Sequence, residues 1–292
     1  MPRLRLALVA VILLCAAQPA LAADARRVMV FGDSIAWGWI PQADGFPTTR
    51  YPAAVRWPGV LRGEIGAGYE VVEEALNGRT TDLTPPLESA GLPGAGYNGA
   101  AYLPAAIASQ MPLDLVIVAL GTNDLRAENH RTPLEIGLGA MKLATIIQDS
   151  AGATGAAYPA PAVLLLAPPP MPPSVATGPF KLVFGVDASA KSRELGAIYA
   201  RLAAAAGITV FDAGQVIRAD GVDSVHLSIE AHAALGRAVA SEVRRLLPSP
   251  AEAYSRPAAS CSIRSCGGAG GRGRSPPRRL CRVRSATAIQ LP

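Results

Sequence analysis

Arg27-Val28-Met29-Val30-Phe31-Gly32-Asp33-Ser34 is a short apolar run that stops on a glycine, a carboxylate and a hydroxyl. Unbroken by polar residues, it reads as a strand buried on both faces, the habit of parallel sheets. Four more such runs follow: Tyr69 to Glu73, Leu115 to Leu120, Ala162 to Leu166 and Ile208 to Phe211. Helical patterns lie between them. Thr132-Pro133-Leu134-Glu135 combines a capping box with proline at the first helical position, and Leu134, Leu138 and Met141 repeat on one face. Asp187 opens a helix with Leu195, Ile198 and Leu202 on one side and Gly207 at its end. Ser228 caps a last helix with Leu235, Val239, Val243 and Leu246 inward. Strands that alternate with helices imply an α/β fold: a flavodoxin-like three-layer αβα sandwich on a five-stranded parallel sheet. The most economical right-handed winding is the order 2-1-3-4-5, with ligands outside the carboxyl ends of the strands near the first and third.

Those carboxyl ends carry the polar residues. The first strand runs into Gly32-Asp33-Ser34, the second into Asn77-Gly78-Arg79-Thr80-Thr81, the third into Gly121-Thr122-Asn123-Asp124, and the fifth is followed by Asp223-Ser224-Val225-His226. A serine hydroxyl is a poor nucleophile at neutral pH, so Ser34 needs a base, and His226 is the leading candidate. Asp223, three residues before it, would hold the imidazole in one tautomer. The tetrahedral intermediate of acyl transfer needs donors fixed in advance, and the Ser34 and Gly78 N–H groups with the Asn123 amide would supply three.

Gly-Asp-Ser, the second-block glycine, Gly-Thr-Asn-Asp and Asp-x-x-His, in that order, resemble the four blocks of the SGNH (GDSL) hydrolase family. The likeness extends over most of residues 27–247 and points to the arylesterase-like acyltransferase or perhydrolase branch. It is carried by Trp37-Gly38-Trp39, Arg79-Thr80-Thr81, Tyr102-Leu103-Pro104, Arg131-Thr132-Pro133-Leu134 and Phe211-Asp212-Ala213-Gly214. It implies the triad Ser34-Asp223-His226, an oxyanion hole of Ser34, Gly78 and Asn123, no cofactor and no metal. It also implies a small-molecule ester substrate, with alcohols as further acyl acceptors and homo-oligomers in the branch. A carbohydrate deacetylase, a thioesterase or lysophospholipase, and a non-enzymatic carbohydrate-binding module are the competing readings. This chain differs from the branch in its N-terminus, its C-terminal tail and a longer stretch from Asp82 to Tyr97.

The net charge of +5 over 292 residues invites a nucleic-acid partner, but the charge is not where a binding face would be. From Pro248 on, eight arginines and one glutamate give +7. The first 22 residues add +2 and leave −4 for residues 23–247. Arg3, Arg5, the 12-residue apolar run from Leu6 to Ala17 and Ala20-Leu21-Ala22 read as a secretory signal peptide. The run is too short to cross a bilayer, so an exported, periplasmic or secreted protein without a membrane span is expected. Residues 248–292 read as a disordered Arg/Pro/Gly/Ser-rich tail. Cys261, Cys266 and Cys281 lack the paired spacing of a metal site, and no nucleic-acid partner is expected.

Single residues have plainer readings as well. Trp37 and Trp39, beside Asp33, are candidates for the substrate channel and equally for packing. His130 reads as a surface residue and His232 as a packing one. Asp124, Asp212 and Asp220 are alternative orienting acids, with Asp124 expected to support its own loop. Gly94-Ala95-Gly96-Tyr97-Asn98-Gly99 fits a dinucleotide pattern but follows no strand, so it reads as a flexible loop.

Overall fold

The computed structural model describes residues 25–86, 91–152, 155 and 157–248. The proposed signal peptide and all of the proposed tail after Pro248 lie outside the described residues. Five parallel strands form one sheet: β1 (Arg26–Gly32), β2 (Tyr69–Ala75), β3 (Leu115–Ala119), β4 (Ala162–Ala167) and β5 (Thr209–Asp212). Their order is β2-β1-β3-β4-β5, as the winding argument requires. Val28 pairs with Val71 on one side and Leu115 on the other, so β1 is interior although it comes first in the chain.

Side chains alternate across a strand, and the two faces build two cores. Met29 and Phe31 with Val116 and Val118 point to α4 (Gly99–Gln110), α5 (Pro133–Gln148) and α7 (Ala188–Ala206). Val28 and Val30 with Leu115 and Ile117 point to α2 (Trp57–Ile65) and α8 (Ile229–Leu246). α2 and α8 touch at Gly236, where an added Cβ would stand 2.6 Å from the Val60 Cβ. Shorter turns complete the upper edge: α1 (Ser34–Trp37), α3 (Gly94–Tyr97) and α6 (Lys181–Phe184). Among the described residues no helix is long and apolar enough to cross a membrane.

The helix signals hold with two exceptions. Both halves of the Thr132–Glu135 capping box form, Ser228 accepts from the Ala231 N–H, and Gly207 takes a left-handed φ of 66°. Asp187 stands at the start of α7 but makes no side-chain cap. The leucines that repeat along α5 lie on its outward face: Leu134 and Leu138 are 44% and 51% exposed. The buried face holds Ile136, Gly137, Gly139, Ala140 and Leu143. Its small residues let the helix come close, since a Cβ on Gly137 would stand 2.6 Å from Ile198 Cγ2. The Gly94–Gly99 stretch is also more ordered than a flexible loop: it forms α3, and Asn98 caps α4 by accepting from the Ala101 N–H.

Candidate active site

β1 ends at Gly32, where a Cβ would stand 2.5 Å from that of Ala36, so the chain turns into α1 without a gap. Asp33 caps α1 by accepting from the Ile35 N–H at 2.9 Å. Ser34 is thus the first helical residue, where an N–H has no intrahelical acceptor. Its Oγ lies 2.9 Å from His226 Nε2, and His226 Nδ1 lies 2.7 Å from Asp223 Oδ2. All three side chains are buried.

The turn that carries the acid and the base is tied from several sides. Asp223 Oδ1 accepts from the N–H groups of Val225 and His226 at 3.0 and 2.9 Å. The Ser224 N–H donates to Gly221 O, and the Gly221 N–H donates to His226 O. Ser224 takes a φ of 65°, a left-handed conformation that non-glycine residues seldom adopt. Its hydroxyl meets that of Ser174 at 2.8 Å. Burial pushes the Asp223 carboxyl up, but the hydrogen bonds from His226 and Val225 and the imidazole charge outweigh it and hold the group below its ordinary value. An ionised Asp223 fits the task of fixing the His226 tautomer.

The three oxyanion candidates converge on the same spot. Gly78 has a φ of 84°, and neither its N–H nor that of Ser34 donates to another group among the described residues. Asn123 Nδ2 donates to Arg79 O at 3.1 Å and at a long 3.4 Å to Asp33 Oδ2. Its second proton is therefore only weakly held. Ser34, Gly78, Asn123 and His226 share the wall of a cavity of about 320 Å³ with Asn77 and Arg126. Trp39, Phe46, Tyr97, Phe180, Val183, Phe184 and Val225 supply the apolar side.

The sequence profile of the GDSL-like lipase/acylhydrolase family matches residues 30–234, which hold every one of these groups. The chain belongs to this family. The native aryl esterase of M. smegmatis is a similar solved structure, with 46% identity, a TM-score of 0.71, and coverage of 76% of this chain and 100% of that one. A carbohydrate acetylesterase from Sinorhizobium meliloti has 44% identity, a TM-score of 0.70, and coverage of 76% and 99%. A lipase/acylhydrolase from Enterococcus faecalis, at 18% identity, shares the fold. No curated protein sequence matches the chain.

Of the three channel candidates in this acylhydrolase, Trp39 alone lines the cavity. Trp37 packs against the core edge with the Arg50 guanidinium 5.2 Å from its ring, because the left-handed Gly38 between the two tryptophans turns the chain. Asp33 lies behind the nucleophile against Trp57 and Thr122 and faces away from the cavity. Burial raises its carboxyl to about 7, against the hydrogen bonds from Ile35 and Thr122.

None of the alternative acids touches His226. Asp212 caps a turn through the Gly214 N–H, and Asp220 accepts from the Ser228 N–H and hydroxyl. Asp124 reaches beyond its own loop: it accepts from the Thr81 N–H at 2.9 Å, from Thr81 Oγ1 at 2.6 Å and from Arg131 at 2.9 Å. It locks the second-strand loop to the third. His130 is exposed, and His232 is buried with its Nδ1 accepting from the Trp57 N–H at 3.2 Å.

Two features have no signature in spacing or periodicity. Buried Arg79 donates to Gly32 O and Glu74 O and lies 4.2 Å over the Phe31 ring, so it holds the carbonyl that accepts from Asn123. Burial lowers its guanidinium to about 10, still charged at neutral pH. The second is Phe180, which meets the His226 ring edge-on at 5.8 Å. Among the described residues no group of three or more His, Cys, Asp or Glu is gathered as a metal site.

Proposed function

We propose that the chain is an exported serine esterase that hydrolyses short-chain, acetyl-type carboxylic esters through an acyl-enzyme on Ser34. One observation carries the reading: the unbroken chain from Asp223 through His226 to Ser34, at 2.7 and 2.9 Å, opens into a small aromatic-walled cavity. In the first half-reaction Ser34 Oγ bonds to the ester carbonyl carbon and gives its proton to His226 Nε2. The carbonyl π electrons move to oxygen, facing the Ser34 and Gly78 N–H groups and the Asn123 amide. When the intermediate collapses, the carbon–alkoxy bond breaks and the leaving oxygen takes the proton from His226. Water repeats the sequence to release the acid and restore the Ser34 hydroxyl.

The cavity is at the small end of ligand pockets, which favours acetyl over long acyl chains. A small alcohol in place of water would give transfer, and the apolar wall favours such an acceptor. The likeness to a carbohydrate acetylesterase adds acetylated sugars as a second substrate class. Ser34→Ala should abolish hydrolysis of an activated acetate ester in a protein that still melts cooperatively, and retained turnover would sink the acyl-enzyme. An acyl-length series that rises toward long chains would replace the short-ester reading with that of a thioesterase or lysophospholipase. Product ratios with added alcohol measure transfer against hydrolysis.

A further inference from the structure

Among the described residues Arg126 is the one Arg or Lys that lines the cavity, and no Asp or Glu lines it. Its Nε donates to Glu128 Oε1 at 2.8 Å, while neither Nη atom has a partner among the described residues. The Arg126 side chain is 19% exposed and that of Glu128 40%, so the pair is a surface one that neutralises the cation only weakly. Arg126 also closes the short turn Asn123–Leu125, its N–H donating to Asn123 O at 3.3 Å. The guanidinium is therefore built on the same rigid piece of chain as the oxyanion amide. Two adjacent Nη groups without partners form the planar fork that matches a carboxylate.

Resting on the esterase reading above, we propose that Arg126 makes this site selective for esters that carry a carboxylate. The carboxylate belongs either to the acyl group or to the leaving group, and the Nη pair binds it end-on while the ester carbonyl lies against Ser34. Hydrolysis would then act on half-esters of dicarboxylic acids or on acetylated hydroxy acids, in preference to their neutral counterparts.

The test compares two pairs of esters that differ in charge, in the wild type and in Arg126→Gln. 4-Acetoxybenzoate against its methyl ester carries the carboxylate in the leaving group. Methyl hydrogen succinate against dimethyl succinate carries it in the acyl group. The readout is the charged-to-neutral ratio of kcat/KM within each enzyme, so a general loss of activity cancels. A charge-assisted pair is expected to make that ratio fall by about tenfold or more for one pair in Arg126→Gln, chiefly through KM, with partial return in Arg126→Lys. The pair that responds names the side of the ester that bears the anion. A smaller change in both pairs overturns the proposal.

Inhibition of the wild type gives a second measurement that needs no variant. Benzoate should compete at lower concentration than benzamide and lose that advantage at high salt, and equal inhibition would also overturn the proposal. Turnover of neutral esters with a flat ratio removes this inference alone. Failure to turn over any of the four esters removes the esterase reading and this inference with it.

Discussion

The indole of Trp39 lies flat on the imidazole of His226, with ring centroids 4.8 Å apart and planes 10° from parallel. The stack fixes the plane in which Nε2 faces Ser34. Such a pair contributes about 0.5–1.5 kcal/mol beyond burial, and more once the imidazole gains charge in the transition state. Trp39→Leu should therefore lower kcat on an activated acetate ester by about threefold to tenfold, since about 1.4 kcal/mol is a factor of ten. Trp39→Phe, which keeps an aromatic face, should recover most of the loss. Equal kcat in the leucine and phenylalanine variants would assign Trp39 to packing alone.

Asp33 has a different kind of leverage. Its carboxyl is raised from 3.8 to about 7 by burial, so the folded protein binds a proton there more tightly than the unfolded chain. Stability from this group is full below pH 4 and falls by about 4 kcal/mol as pH rises toward 7. Asp33→Asn, which keeps a capping oxygen, should remove that slope. Urea unfolding at pH 4 and pH 8 checks it: the variant should gain on the wild type at the higher pH.

His232 has the opposite sign. Burial lowers it from 6.5 to about 4, so its contribution is full above pH 6.5 and is lost as pH falls to 4. The size is about 3 kcal/mol. His232→Asn can still accept from the Trp57 N–H but binds no proton, so its stability should drop less on acidification than that of the wild type. Identical acid unfolding curves would refute the assignment. Between pH 4 and 6.5 the two slopes oppose and nearly cancel in the wild type, so each single variant should uncover the slope of the group it leaves.

Close backbone approach gives the clearest stability prediction. A Cβ on Gly59 would stand 1.5 Å from the Ala53 carbonyl oxygen, and a backbone oxygen cannot swing aside as a side chain can. Gly59→Ala should cost about 1–3 kcal/mol or more despite its better helix propensity. Thermal melting should show a drop of several degrees, whereas Gly63→Ala, with open space around it, should not.

The strands and the triad were legible because each depends on short-range pattern. Apolar runs mark interior strands, and Asp223-x-x-His226 fits one turn whatever lies around it. Of the aromatic wall only Trp39 was legible, since Phe46 and Phe180 meet it only once separate loops have folded over the sheet. The buried face of α5 was not legible for a related reason. Leu134 and Leu138 carry the periodic signal, but Gly137 and Gly139 decide the face, because contact there depends on closeness rather than on hydrophobic bulk. The structural ties of Arg79 and Asp124 were not legible because their partners are distant in sequence or on other elements: the ends of β1 and β2 for Arg79, and Thr81 and Arg131 for Asp124.

Ser34 and His226 meet across 192 residues of sequence, one after the first strand and the other before the last helix. The hydroxyl is thus supplied by the end of the first strand and the imidazole by a turn just ahead of the final helix. A growing or partly unfolded chain holds a serine without a proton acceptor and cannot cleave esters. Recovered esterase activity after denaturation therefore reports the return of this one long-range contact, which formation of β1 and the Ser34 turn alone does not supply.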